Sequence, residues 1–332
     1  MITTSIRVEG QDQAGEARRR TAAVASAAGL DETTAGRAAI VVTELANNLW
    51  KHAGGGEILV SYPSSQGPCI EILSLDNGPG MADVVRCFQD GYSTAGSSGT
   101  GLGAVQRLSS QHDVYSVPGK GTVILARLQP PGAKHGPAIE VGGVSVPMRG
   151  ETVCGDAFAF STKHRANLLL VVDGLGHGPG AADCADAAVA AFRESELEDP
   201  VELMRELHAA LRATRGAAVS VARIDFAGGQ LRYSGVGNIA GVICEREARP
   251  RHLLSHPGIV GHDCRNVREV TYELPGNGLV LLYSDGISTH WSLGPYEGLL
   301  SRDPSLIAGV IYRDHSRGRD DATVVVVRSG LS

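Results

Sequence analysis

Two hydrophobic rhythms alternate along the chain. Between Glu32 and Lys51, Ala38, Val41, Val42, Leu45 and Leu49 recur at helical spacing, which predicts a helix with one buried stripe. Asp31 stands before it as an N-cap, and Gly54-Gly55-Gly56 ends it. Glu16 to Ala28 is a second helix by composition. EILVSYP and CIEILSLD then predict strands, and GTVILARL (Gly121 to Leu128) is the closing strand of this first region. Farther on, FAFSTK, NLLLVVD, AAVSVARID, QLRYSGVG, GLVLLYSD and TVVVVRS predict short strands. Helices over Ala181 to Glu194 and Pro200 to Ala213 interrupt them. So many adjacent strands argue against a doubly wound parallel sheet and for a mixed α+β chain of two domains.

The break between the two regions is QPPGAKHGP, Gln129 to Pro137, where prolines remove donors and glycines add freedom. It divides the chain into domains over 1–128 and 138–332, joined by a linker over 129–137. The 332 residues suffice for two domains of roughly 150 residues each. A net charge of -6, with no basic block beyond Arg18-Arg19-Arg20, gives no expectation of nucleic-acid binding. No apolar run approaches the roughly 20 residues of a membrane span, and the N-terminus lacks a signal-peptide pattern. Six scattered cysteines without C-x-x-C spacing are expected to be reduced thiols of a cytoplasmic protein.

In the first region Glu44 and Asn48 lie four apart on one face of the long helix, away from its apolar stripe. An amide oxygen there suits Mg²⁺, and a carboxylate can take a proton from an attacking hydroxyl. The strand CIEILSLD ends in Asp76-Asn77-Gly78-Pro79-Gly80, an acid followed by glycines that permit close backbone approach. Gly99-Thr100-Gly101-Leu102-Gly103 then opens a helix near Ala104, presenting free N–H groups to phosphate oxygens. It is neither a P-loop nor a dinucleotide fingerprint. Met81 to Ser98, between the glycine clusters, is expected to be a lid. Lys51 or Lys120 can supply positive charge nearby, though an ordinary surface lysine is the better reading of either.

The order E-x-x-x-N, D-x-G-x-G, G-x-G-x-G resembles the Bergerat (GHKL) ATP-binding fold, an α/β sandwich. TELANNLWKHAGGG, DNGPGM and QDGYSTAGSSGTGLGAVQRL are most similar to the anti-sigma-factor serine kinases of the RsbT type. The resemblance implies Glu44 as general base and Asn48 as Mg²⁺ ligand. It implies Asp76 on the adenine amino group, Gly78 and Gly80 along the base pocket, and Gly99, Gly101 and Gly103 at the phosphates.

In the second region the acids stand at strand ends beside glycine. Asp173 follows five consecutive apolar residues, Asp285 ends GLVLLYSD, Asp156 opens a strand, and Asp320-Asp321 precede the last one. Converging carboxylates repel and need cations. Two divalent ions about 3.5–4 Å apart would offset the charge and activate water for attack on phosphorus. The set GD, VDGLGHG, YSDGIS and RDDAT resembles the PPM-type phosphatases of the SpoIIE family, closest to the compact RsbX-like members, with an αββα sandwich. The resemblance implies Asp173 as bridging ligand, Asp156 and the Gly174 carbonyl on one metal, and Asp285 and Asp320 on the other. Asp321 stands where larger relatives often carry Asn, and His177 is expected to be structural or a substrate gate.

Together these features predict a bifunctional regulator. An ATP- and Mg²⁺-dependent serine/threonine kinase is joined to a phosphatase that uses two Mn²⁺ or Mg²⁺ ions. The resemblance implies STAS-domain partners in a stressosome or partner-switching pathway, with a downstream phosphatase or sigma factor as further partners. The alternative is an ATP-binding module that sequesters a partner or gates the phosphatase without kinase turnover.

Overall fold

The computed structural model describes residues 3–62, 68–89, 101–130, 139–163, 166–245 and 248–330. The chain forms two compact units, Met1–His135 with Ser301–Arg313, and Gly136–Leu300 with Asp314–Ser332.

The first unit begins with β1 (Thr3–Val8), α1 (Gln13–Ala27) and α2 (Glu32–Asn48). It continues through β2 (Gly56–Ser61), β3 (Ile70–Leu75), α3 (Val84–Cys87), α4 (Gly101–Leu108), β4 (Gln111–Val117) and β5 (Gly121–Leu128). The strands pair antiparallel in the order β1-β2-β3-β5-β4. The predicted stripe of α2 packs Val41, Val42 and Leu45 against Ile58, Val60, Ile72 and Ile124 on one face of the sheet. Asp31 caps α2 as expected, accepting the Thr34 N–H at 2.9 Å. The α-helix stops earlier than the periodicity predicts. After Asn48 the backbone widens into a π-helical turn, Leu49–Ala53, and Gly54 ends it at φ 74°. Such turns are frequent at functional sites, and Leu49, His52 and Ala53 of this one line the cavity described below.

The second unit contains β6 (Ile139–Val146), β7 (Asp156–Lys163), β8 (Ala166–Gly174), α5 (Pro179–Glu194) and α6 (Pro200–Ala210). These are followed by β9 (Ala217–Asp225), β10 (Gln230–Val236), β11 (Ala240–Cys244), β12 (Arg251–Leu253), β13 (Val270–Glu273), β14 (Leu279–Tyr283) and β15 (Ala322–Ser329). They build two antiparallel sheets, β13-β10-β9-β8-β7 and β12-β11-β14-β15-β6. Phe192 of α5 and Leu203 and Leu207 of α6 close over Leu168, Leu170, Val219 and Val221 of the first of these sheets. The apolar run before Asp173 is buried in β8, as its composition predicts.

One further helix, α7 (Pro304–His315), was not foreseen from the hydrophobic pattern. Its signal is visible in retrospect: Asp303 and Pro304 precede an apolar run. Where the composition divides the chain at a single linker, the compact units assign Ser301–Arg313 to the first unit. Residues 131–137 of that linker lie outside the described residues. The cysteines are all free, and burial pushes Cys69 and Cys244 up to about 12. Among the described residues no helix is long and apolar enough to cross a membrane.

Candidate nucleotide and metal sites

In the first unit, β3 delivers Asp76 to the mouth of a cavity of about 550 Å³. Asn48, Gly80, Met81, Gly101, Thr122 and Ile124 are among the residues that line it. Asp76 Oδ1 accepts the N–H of Gly78 at 2.8 Å and of Thr122 at 3.1 Å, which fixes the carboxylate. Burial raises the Asp76 pKa, against the backbone hydrogen bonds from Gly78 and Thr122 that lower it. Gly78 is tightly enclosed, since a Cβ there would stand 2.7 Å from that of Ala53. Gly80 has φ +69°, and a Cβ would press to 2.3 Å from the Val117 carbonyl oxygen.

The first turn of α4 faces α2. A Cβ on Gly101 would lie 2.8 Å from Glu44 Oε2 and 3.7 Å from Asn48 Oδ1. The sequence places Glu44 and Asn48 on one helix face; the fold brings both to the glycine backbone at the start of α4. Among the described residues Asn48 Nδ2, a buried donor, has no hydrogen-bond partner. Gly103 is buried within α4. Gly99 and the lid from residue 90 onward lie outside the described residues, and α3 occupies part of the earlier stretch. Thr122, Ser74 and Ile124 were not singled out from the sequence. They reach the cavity only because β5 and β3 pair with Leu75 opposite Val123.

In the second unit, antiparallel pairing sets Asp156 of β7 directly opposite Asp173 of β8. Burial, then the charge of Asp173, holds the Asp156 carboxyl well above the usual carboxylate range. Burial raises Asp173 to about 7, with Asp285, Asp320 and Asp321 adding to the rise. Among the described residues Asp173 Oδ2 is buried without a hydrogen-bond partner. Asp156 Oδ2 accepts the Ser284 hydroxyl at 2.5 Å, and Asp285 Oδ2 accepts Asn238 Nδ2 at 2.5 Å. Gly174 has no room for a side chain, since a Cβ would stand 2.5 Å from the Ala181 carbonyl oxygen. Its N–H is bound to the Gly155 carbonyl at 3.0 Å.

Asp320 and Asp321 differ in what surrounds them. Asp321 spends both oxygens on backbone, Oδ1 on Met148 N–H at 2.7 Å and Oδ2 on Gly155 N–H at 2.8 Å. It therefore ties down the segment that leads into Asp156. Among the described residues Asp320 Oδ1 accepts the neighbouring Asp321 N–H at 2.9 Å. His177 is exposed and pairs through Nδ1 with Glu151 at 2.7 Å. Ser284 sits within the YSDGIS motif beside Asp285, whereas Glu151 carries no motif that would mark it in the sequence. Among the described residues no group of three or more histidine, cysteine, aspartate or glutamate side chains is arranged to hold a metal ion. The donor chemistry nevertheless fits hard divalent cations: buried carboxylates raised by mutual repulsion, one with an orphaned oxygen.

Comparisons with known proteins place both halves of the chain in families. The family model of stage II sporulation protein E (SpoIIE) matches residues 163–329, about half of the chain, and the histidine kinase-like ATPase domain matches residues 9–128. The chain belongs to the SpoIIE family, with a histidine kinase-like ATPase domain ahead of the matched region. Within the ATPase region it is 36% identical to the serine/threonine-protein kinase RsbT of Bacillus subtilis over 104 residues, 31% of this chain and 78% of RsbT. It is also 23% identical over 139 residues to the phosphoserine phosphatase RsbX of the same organism, 42% of this chain and 70% of RsbX. A solved structure from the bacterial stressosome, described as a modular system adapted to control secondary messenger signalling, is 31% identical with a TM-score of 0.53. It is matched over 57% of this chain and 99% of its own. RsbX crystallised with magnesium shares the fold at 19% identity and a TM-score of 0.51, over 58% of this chain and 96% of its own. This SpoIIE-family chain thus joins a kinase-related to a phosphatase-related domain, the pairing that its motifs resemble.

Proposed function

We propose that the chain sets the phosphorylation level of serine or threonine residues on STAS-domain partner proteins, adding phosphoryl groups with its first unit and removing them with its second. The observation that carries this reading is the convergence of Glu44 and Asn48 on Gly101 at the nucleotide cavity, since a module that only binds ATP needs no base there. Asp76 Oδ2 accepts the adenine amino group, while the backbone at Gly101 and Gly103 takes phosphate oxygens. Glu44 accepts the proton of the attacking serine or threonine hydroxyl as that hydroxyl oxygen bonds to the γ-phosphorus and the bond from the γ-phosphorus to the bridging oxygen breaks, releasing ADP. Asn48 Oδ1 offers a hard ligand to the Mg²⁺ that accompanies ATP.

In the second unit Asp156, Asp173, Asp285, Asp320 and the Gly174 carbonyl would hold two Mn²⁺ or Mg²⁺ ions. When bound, the cations offset the carboxylate charge and lower the pKa of water at the site. Asp173 holds the position between the groups, Ser284 and Asn238 orient Asp156 and Asp285, and Asp321 anchors the backbone beneath Asp156. The products are the free hydroxyl and inorganic phosphate. The stressosome and RsbT relatives support STAS partners.

The test is a mobility-shift gel of a candidate STAS protein incubated with ATP, Mg²⁺ and Mn²⁺. Phosphoprotein should accumulate with Asp173→Asn and stay low with wild type. An active ATP site that phosphorylates none of the STAS proteins encoded beside the gene would favour the alternative reading, a nucleotide-binding gate on the phosphatase.

A further inference from the structure

A buried polar cluster holds the Ser301–Arg313 segment to the sheet of the ATP-binding unit. Arg127 of β5 is 4% exposed, yet it carries a guanidinium. Asp303 takes it bidentately, Oδ2 from Nη1 at 2.5 Å and Oδ1 from Nη2 at 2.7 Å. Glu71 of β3 accepts Nε at 2.7 Å, and Ser305 accepts Nη2 at 2.9 Å. Glu71 and Asp303 keep the arginine charged against the opposing effect of burial. Beside this cluster, Asp113 of β4 accepts the backbone N–H of Asp303 at 2.8 Å.

The rest of α7 continues the docking. Ser305, Gly309 and Tyr312 recur at helical spacing along one face. Gly309 lies against Leu73 and Val123, where a Cβ would be 3.4 Å from each side chain. Tyr312 donates its hydroxyl to Glu57 of β2 at 3.2 Å. Arg313 Nη1 donates to the backbone carbonyl of Asp76 at 3.0 Å. Asp76 is thus shared: its carboxylate serves the nucleotide cavity, and its carbonyl holds the end of the docked segment.

The same segment is covalently placed between candidate metal ligands. The chain leaves the second unit at Leu300, after Asp285, and returns at Asp314, before Asp320. A segment anchored on Asp76 and bracketed in sequence by two metal-site carboxylates can transmit occupancy of the first site to the second.

We propose that Ser301–Arg313 is an effector segment through which adenine nucleotide bound at Asp76 tightens divalent-metal binding by the second unit. The inference rests on the nucleotide and metal sites proposed above. Nucleotide held by Asp76 Oδ2 stiffens the Asp76 peptide, which favours the Arg313 hydrogen bond and the docked helix. The docked helix restricts the chain on either side and so narrows the positions open to Asp285 and Asp320. Because coupling is reciprocal, metal must tighten nucleotide binding by the same factor.

The test uses the full chain, ADP with Mg²⁺, and a series of free Mn²⁺ concentrations each set by a metal buffer. Hydrogen exchange of residues 301–313 is followed with and without ADP, beside the Mn²⁺ dependence of p-nitrophenyl phosphate hydrolysis. ADP should slow exchange in the segment and lower the half-maximal Mn²⁺ concentration by about fivefold. Arg313→Ala should still bind ADP but lose both effects. Arg313→Met, which keeps the stem and removes the donors, serves if the alanine variant loosens the helix. If ADP binds to wild type and neither quantity changes, or if the Arg313 variants respond like wild type, the proposal is overturned while both sites stand. Absence of ADP binding, or of Mn²⁺-dependent hydrolysis that Asp173→Asn removes, would overturn the site assignments and the coupling with them.

Discussion

Asp156 and Asp173 face each other across β7 and β8 as a directly paired residue couple in the strand register. Two carboxylates in that relation, both largely buried, cannot ionise independently, and the consequence is measurable in the metal-free protein. Asp173 is raised to about 7 by burial and by its acidic neighbours, whereas an unfolded aspartate titrates near ~3.9. The folded state therefore keeps a proton that the unfolded chain releases between these values. Stability falls as pH rises through that window. In EDTA, the melting temperature of wild type should drop from pH 5 to pH 7.5. Asp173→Asn should flatten that dependence and abolish phosphatase activity. A wild-type melting temperature that rises over this range would contradict the raised carboxylates.

Glu44→Ala removes the carboxylate aimed at Gly101 and leaves the second unit untouched. Phosphoryl transfer to a STAS substrate should fall by about 10²-fold or more, the usual yield of general-base catalysis. Hydrolysis of p-nitrophenyl phosphate should continue at the wild-type rate. Parallel loss of both activities, measured on the same preparation, would rule out separate active sites.

Gly101→Ala places a methyl carbon where the Glu44 oxygen lies 2.8 Å away, so either the side chain or the start of α4 must shift. ATP affinity, read by calorimetry, should weaken by about tenfold, equivalent to ~1.4 kcal/mol. Gly36, with nothing within 4 Å of an added Cβ, is the matched control, and Gly36→Ala should bind ATP normally.

Asp321→Ala strips the partners from the Met148 and Gly155 N–H groups. Each newly unpaired buried donor costs about 1–3 kcal/mol, which a urea melt will resolve. Phosphatase activity should need more Mn²⁺ because the segment before Asp156 is loosened. Asp320→Ala, by contrast, should weaken metal binding with a smaller loss of stability. Equal stability losses in the two variants would show that the neighbouring acids do not divide these roles.

Arg127→Met leaves Glu71 and Asp303 buried without their counter-ion. Breaking a buried pair in this way costs about 3–5 kcal/mol. The double change Arg127→Met with Asp303→Asn should recover part of that loss, a coupling that a double-mutant cycle measures directly.

Local chemistry was legible in the sequence wherever it depends on neighbours along the chain. The α2 stripe, the Asp31 cap, the glycine stop at Gly54 and the buried β8 strand leading to Asp173 follow from spacing and turn propensity. So did the candidate motifs, because a carboxylate at a strand end next to glycine is a local arrangement. What the sequence could not determine was which distant groups those residues meet. Glu44 meets Gly101 through the packing of α2 against α4, and Thr122 reaches Asp76 through strand pairing. The different surroundings of Asp320 and Asp321, adjacent and chemically identical, are set by Met148 and Gly155 more than 160 residues away. Nothing in the apolar run after Pro304 says that it packs with the ATP-binding unit. That choice is made by Arg127, whose buried charge demands an acid, and Asp303 answers it from 176 residues along the chain. Side-chain spacing specifies elements, but the desolvation of a charge is settled only when tertiary contacts decide which partner reaches it.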